Sequence, residues 1–221
     1  MSGKVYYKAT RTDGLDFYTE SVDYSVIGST VSVPAGRRKF QPYCCTDTVL
    51  HASTSAADTL IGGQWPCRLF EVTGRPVAEE GNKRGFRQVT ILREVDAWLA
   101  LGPQGKEIAE LIERACRITA DEARRVDAAG DAAWRAARRR ARGAARGAAW
   151  DAAWRAAWGA AWRAAGDAAW RAAGDAAGDA AGDAAGGAAG DAAAALVVRD
   201  LITTEQFDVL AGPWVSVMGA L

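Results

Sequence analysis

Residues 127–194 restrict what this chain can fold into more than any other stretch. They repeat a four-residue unit, x-Ala-Ala-z, in which the first position is mostly Asp, Arg or Gly and the fourth mostly Trp, Arg or Gly. Two Ala per unit predict α-helix, because Ala loses no side-chain entropy on entering one. An unbroken helix over this tract would run roughly 100 Å at 1.5 Å per residue. That exceeds the width of a domain of about 95 residues, so the tract either projects or folds back. A period of four is longer than the helical turn, so each unit advances the stripe by about 40° around the axis. Trp150, Trp154, Trp158 and Trp162 therefore spread over an arc of roughly 120°, the width of one buried helix face. Left in water, these indoles would form a large apolar patch, so the tract must bury them.

The far end of the tract is different. Gly174, Gly178, Gly182, Gly186, Gly187 and Gly190 each cost roughly 0.8–1 kcal/mol relative to Ala inside a helix, but leave a face that another helix can approach closely. The economical arrangement docks the Gly-rich half on the Trp-rich half, or on another copy of the chain. The alternative is expansion of a short repeat, retained because the product stays in solution. Folding about Trp162 would set Trp150 opposite Gly174, Arg146 opposite Gly178, Arg142 opposite Gly182, Arg138 opposite Gly186 and Trp134 opposite Gly190. The predicted antiparallel hairpin turns at residues 158–166, large residues meet small ones, and the Arg-rich and Asp-rich ends neutralise each other.

The 221 residues suffice for one or two domains, and Lys+Arg and Asp+Glu balance at 27 each. No global charge draws the chain to nucleic acid or to a membrane. Locally, Arg135, Arg138, Arg139, Arg140, Arg142 and Arg146 form a basic cluster that could neutralise phosphates, with neighbouring Trp to stack on bases. The acidic units Asp175, Asp179, Asp183 and Asp191 oppose that use. The opening residues carry no secretory pattern and no apolar run reaches 18 residues, so a cytoplasmic protein without a membrane span is expected. Cys44, Cys45, Cys67 and Cys116 lack metal-ligand spacing and His51 is the only histidine, so buried free thiols and no metal are expected.

Before the tract, residues 1–95 read as a β-rich domain. Strands are expected at 4–10 (KVYYKAT), 15–20, 22–33, 49–53 (VLHAS), 67–73 (CRLFEVT) and 86–95 (FRQVTILREV). A short helix capped by Thr54 or Ser55 follows VLHAS, and GRPVAEEGNKRG at 74–85 reads as a polar loop. Residues 96–126 read as connecting helices, one started by Asp96 and another with Ile108, Leu111, Ile112, Ala115 and Ile118 on one apolar stripe. Residues 195–221 read as a helical cap. Thr203 and Gln206 there form a capping box, a short helix follows at 205–210, and an apolar tail with Trp214 comes after Gly212 and Pro213. The fold class is α+β: a small β-rich domain, then an Ala-rich arm or hairpin with a short helical cap.

No phosphate-binding loop, dinucleotide fingerprint, zinc-protease helix or nucleophile elbow is present. His51 sits in a strand pattern with no carboxylate nearby in sequence, and reads as a structural histidine. The segment LHAST, RLFEVTGRPVAEEGNKRG and VTILREV, with the Ala/Trp/Gly tetrads and RDLITTEQFDVLAGPW, resembles an uncharacterised domain of phage and actinobacterial proteins. That likeness covers most of the chain and implies a setting, with no activity attached. The order LHAST, RLFEVTGRP and Glu79-Glu80-Gly81-Asn82 also resembles small ADP-ribosyltransferases of the rifampin-modifying type. This second resemblance implies NAD as cofactor. Lys8 would stand where the family has His, beside Thr10, with Tyr43 as the Tyr and Glu79 or Glu80 as the acid. His51, Ser53 and Asn82 would be further ligand contacts. The reading carried forward is an interaction or assembly module without catalysis or cofactor, working through Trp134, Trp150, Trp154, Trp158, Trp162, Trp170, Arg138, Arg142 and Arg146. Its partner is the chain itself or an unknown protein. The alternatives are an ADP-ribosyltransferase-like nucleotide binder and a nucleic-acid binder acting through the Arg cluster.

Overall fold

The computed structural model describes residues 4–33, 43–44, 46–140, 160–177 and 182–221. The chain is α+β, as its patterning predicts, and divides into two compact units, Met1–Gly102 and Pro103–Leu221.

The first unit is one antiparallel sheet of seven strands: β1 (Val5–Thr10), β2 (Thr30–Ser32), β3 (Leu50–Ser53), β4 (Arg68–Thr73), β5 (Pro76–Glu80), β6 (Lys83–Phe86) and β7 (Gln88–Val95). Their spatial order is β2-β7-β4-β1-β3-β6-β5. Alternating side chains send Tyr6, Leu50, Ala52, Phe70, Val72, Phe86, Val89 and Ile91 into one core, joined by Val22 and Tyr24 from the loop after β1. Tyr6 meets Phe86 edge-on with ring centroids 5.0 Å apart. Short 3-10 turns at Ala56–Asp58 and Ala97–Leu101 belong to this unit. Ser55 and Asp96 stand at their N-caps, yet neither side chain bonds an end amide.

Two expectations for this unit are corrected. Residues 15–20 and 22–33 do not form two strands: apart from β2 they make a loop with a single bridge, Leu15↔Asp23. The Asp16 carboxylate causes this. It accepts hydrogen bonds from the amides of Tyr18, Thr19, Ser21 and Val22 and from the Thr19 hydroxyl, giving those groups partners that a strand ladder would otherwise supply. Residues 74–85 are not a polar loop but the β5–β6 hairpin, turning at Gly81-Asn82. Its charges are cross-strand pairs, Glu79↔Arg84 and Glu80↔Lys83, on a sheet edge where charge is tolerated.

The second unit packs α1 (Gly105–Ala115), α2 (Ala120–Arg140), α3 (Ala160–Ala177), α4 (Gly182–Val197) and α5 (Thr204–Met218). The expected stripe of α1 is buried, with Ile108, Leu111, Ala115 and Ile118 all nearly inaccessible. Cys116 falls just past that stripe and is an exposed free thiol, while Cys44 and Cys67 are buried as expected. A reciprocal Thr119–Glu122 pair caps α2, and the expected Thr203–Gln206 capping box starts α5. That last helix does not stop at Gly212-Pro213 but runs on to Met218. A mid-helix proline costs roughly 3 kcal/mol. Burying an indole of 150–250 Å² is worth about 4–6 kcal/mol at ~25 cal/mol per Å², and Trp214 is fully buried.

The described helices of the tetrad tract pack within the second unit. Its helices α3 and α4 lie along each other, α1 packs on both, and α5 packs on α2 and α4. The predicted turn at 158–166 is wrong, because α3 continues through Trp162 and Gly166. Single glycines in an Ala-rich helix cost too little to break it. The observed antiparallel contacts set Gly166 against Gly190 and Trp170 against Gly186, a register centred near residue 178 rather than on Trp162. The pairs expected from folding about Trp162, such as Trp150 with Gly174, rest on residues outside the described ones. The principle of large against small does hold. A Cβ on Gly186 would lie 2.9 Å from the Trp170 carbonyl oxygen and 3.0 Å from its indole, so only glycine admits this approach.

Candidate functional site

A β-sheet leaves no room between hydrogen-bonded neighbours, whose spacing is about 4.8 Å. The β1–β3 ladder, however, has one paired position, Tyr7↔Ser53. Around it, Tyr7, Lys8 and Ala9 of β1 and His51, Ala52 and Ser53 of β3 line a cavity of ≈ 90 Å³. A smaller one of ≈ 40 Å³ adjoins it, lined by Lys8 and His51 together with Asp16, Tyr24 and Asp47. Lys8, Tyr18 and His51 line both.

The register explains which groups gather here. Tyr7 pairs with Ser53, and Ser53 pairs with Lys83 of β6, so these three side chains stand in one row across three strands. Thr59 and Gly63 close the larger cavity from the loop after β3, with Phe17 and Tyr18 from the Asp16 loop. A Cβ on Gly63 would come 2.9 Å from the Phe17 ring, which would have to shift to admit it.

Charges of both signs line the site: Lys8, Lys83 and Asp58 at the larger cavity, and Lys8, Asp16 and Asp47 at the smaller one. Burial pulls the Lys8 ammonium down to about 8, Asp16 partly restores it, and Lys83 lowers it further. Among the described residues Lys8 has no carboxylate at ion-pair distance, and its Nζ sits 5.3 Å from the centre of the Tyr24 ring. Burial, then Lys8 and Lys83, hold His51 down to about 4, so its imidazole is neutral at pH 7. Burial alone would push the Asp16 carboxyl up, but its hydrogen bonds from Thr19, Val22 and Ser21 outweigh that and keep it below the usual range. Burial, with Asp16 adding to it, raises Tyr24, which stays a phenol.

Of the residues singled out from sequence, Lys8, His51 and Ser53 come together at this site. Thr10 is buried behind it and donates its hydroxyl to the Arg11 carbonyl. Asn82 lies at the hairpin turn, where its amide nitrogen donates to Asp58, itself a lining residue. Tyr43 is exposed, and Glu79 and Glu80 sit on edge strand β5, Glu79 paired with Arg84 at 3.5 Å. None of these last three lines either cavity. Trp150, Trp154, Trp158, Arg142 and Arg146 lie outside the described residues, as do the side chains of Trp134, Arg138 and Trp162. Trp170 is half-exposed on α3, over Gly186.

Sequence reasoning missed Asp16, Tyr24 and Lys83. For Asp16 a signal was present: Asp-x-x-Thr is a side-chain-to-backbone turn pattern. For Lys83 the Glu-Glu-Gly-Asn-Lys-Arg hairpin signature would have set its register. Tyr24 carried no local signal.

Among the described residues no helix is long and apolar enough to cross a membrane, and no cluster of three His, Cys, Asp or Glu could hold a metal. Comparison with protein-family models, with curated proteins and with solved structures finds no match to this chain.

Proposed function

We propose that the N-terminal unit is a binding module for a small anionic ligand, whose carboxylate or phosphate group enters the cavity between β1 and β3. The observation that carries this is that Lys8, His51, Ser53 and Lys83 all line one cavity beside the β1–β3 pairing. A volume of ≈ 90 Å³ holds roughly six to nine waters. It suits a phosphate group or a two- or three-carbon acid and admits only part of a nucleotide. Lys8 and Lys83 would attract such an anion, against the Asp58 carboxylate that lines the same cavity. The NAD-related alternative survives in this form alone, as binding of a phosphate-bearing group. Turnover of NAD is not expected, since Tyr43, Glu79 and Glu80 line neither cavity.

The tetrad tract enters this proposal as scaffold. Trp170 and Gly186 serve packing between its helices, a reading supported by their contact.

The test is titration of the full chain with phosphate, glycolate, ADP-ribose and NAD, followed by amide chemical shifts and calorimetry. Binding by at least one anion, weakened tenfold or more by Lys8→Met and by Lys83→Met, is expected. Absence of any binding at millimolar anion, or affinity indifferent to both substitutions, would sink the proposal.

A further inference from the structure

Lysines in proteins normally reach water or a carboxylate. Lys8 does neither fully. It is half-buried in the middle of β1, has no carboxylate at ion-pair distance among the described residues, and lies against the face of Tyr24. A second lysine, Lys83, lines the same cavity, and like charge beside an amine favours its uncharged form. Such an arrangement is a poor one for holding an anion alone, because an arginine would stay charged and bind bidentately. It is a good one for an amine that must act as a nucleophile, as Schiff-base lysines do in desolvated pockets beside another cation.

We propose that Lys8 forms a reversible imine with a small carbonyl compound bearing a carboxylate or phosphate, such as a short 2-oxo acid, while Lys83 receives the anionic group. This rests on the anion-binding reading of the same cavity. In the first step the neutral Nζ attacks the carbonyl carbon, the N–C bond forms and the carbonyl π bond breaks, giving a carbinolamine. Loss of water then breaks the C–O bond and forms C=N. The oxygen leaves with two hydrogens, both from the original amine, so atoms and electrons balance without any oxidant or reductant. His51 shares both cavities with Lys8, and its neutral imidazole can accept the proton that the attacking nitrogen sheds. The pKa of Lys8, about 8, leaves an appreciable fraction of free amine near neutral pH, whereas an ordinary lysine has almost none.

The chain has only five lysines, Lys4, Lys8, Lys39, Lys83 and Lys106, so one labelling experiment compares them all. The full chain is incubated with glyoxylate and cyanoborohydride at pH 7.5, and carboxymethyl-lysine is located by peptide mass spectrometry. Labelling of Lys8 at least tenfold faster than Lys4 and Lys106 is expected, suppressed by phosphate as competitor. Lys8→Arg, checked for folding by circular dichroism, should lose the fast label. If Lys8 labels no faster than Lys4 and Lys106 while phosphate or glycolate still binds, the imine is overturned and the binding site stands. If neither anion binds, both fall.

Discussion

Adjacent glycines in α4 should respond to the same substitution with opposite sign. Gly→Ala inside a helix gains roughly 0.8–1 kcal/mol from lower unfolded-state entropy and better propensity. At Gly187 nothing lies within 4 Å of the new methyl, so Gly187→Ala should stabilise the helical unit by about that amount. At Gly186 the methyl would meet the Trp170 carbonyl oxygen at 2.9 Å and the indole Cδ1 and Nε1 at 3.0 Å. The ring can tilt; the carbonyl belongs to α3 and cannot move unless the helices separate. Overpacking of this kind costs about 1–3 kcal/mol, so Gly186→Ala should be net destabilising by roughly 0–2 kcal/mol once the propensity gain is subtracted. Urea unfolding followed by far-ultraviolet circular dichroism, with m-values held equal, measures the difference. Should Gly186→Ala stabilise as much as Gly187→Ala, then α3 and α4 do not touch at Trp170 and the observed hairpin register is wrong.

Two further outcomes concern the N-terminal unit. Because the folded state holds His51 down to about 4 against an ordinary 6.5, the unfolded chain takes up the proton first. Its contribution is therefore neutral above pH 6.5 and becomes destabilising as pH falls from 6.5 towards 4, by an amount on the order of 3 kcal/mol; His51→Gln should flatten that slope in paired urea titrations. Asp16→Ala leaves four amides and a hydroxyl without their acceptor, so amide hydrogen exchange at Thr19 and Val22 should quicken at least tenfold while that of Phe70, in the sheet centre, changes little.

How much of this was legible depended on whether the signal was local. The period-two pattern of RLFEVT and QVTILREV, the stripe through Ile108, Leu111 and Ala115, and the Thr203–Gln206 cap all depend on residues a few positions apart, and all formed as patterned. The Pro213 stop failed: α5 runs through it to Met218, with Trp214 beside it fully buried, a tertiary placement that no local signal encodes. The hairpin register failed for a related reason. A four-residue repeat is nearly self-similar under shifts of four, so the size match about Trp162 has rivals that sequence cannot rank. The site was half legible. Lys8, His51 and Ser53 were named only through the resemblance to ADP-ribosyltransferases, and His51 by itself read as structural. Their meeting with Lys83 and Asp16 required the β3–β6 register and the fold of the 16–22 loop, neither of which any single segment encodes.

Lys8 itself offers the sharpest test of whether the cavity exists for binding rather than for stability. A lysine brought from 10.5 to about 8 on folding enters the folded state, at pH 7, charged in an unfavourable place. Two to three pKa units correspond to roughly 3 kcal/mol, and relaxation will reduce what is recovered by removing the charge. Methionine has nearly the same length and no charge, so Lys8→Met should stabilise the chain at pH 7 by about 1–3 kcal/mol. The sign fixes the pH window. Below pH 8 both states of the wild type are protonated and the cost is fully present; from 8 to 10.5 the folded state sheds its proton first and the wild type recovers, so the advantage of Lys8→Met shrinks to little by 10.5. Burial pushes the Cys67 thiol up to about 12, which destabilises the fold above pH 9, but equally in both proteins, and it cancels in the difference. The outcome to look for is a variant more stable than the wild type and unable to bind anions, since sites that bind are where stability is given up. A variant less stable at pH 7 would mean that Lys8 holds the sheet together, and that the cavity beside the β1–β3 pairing is a structural feature with no ligand to receive.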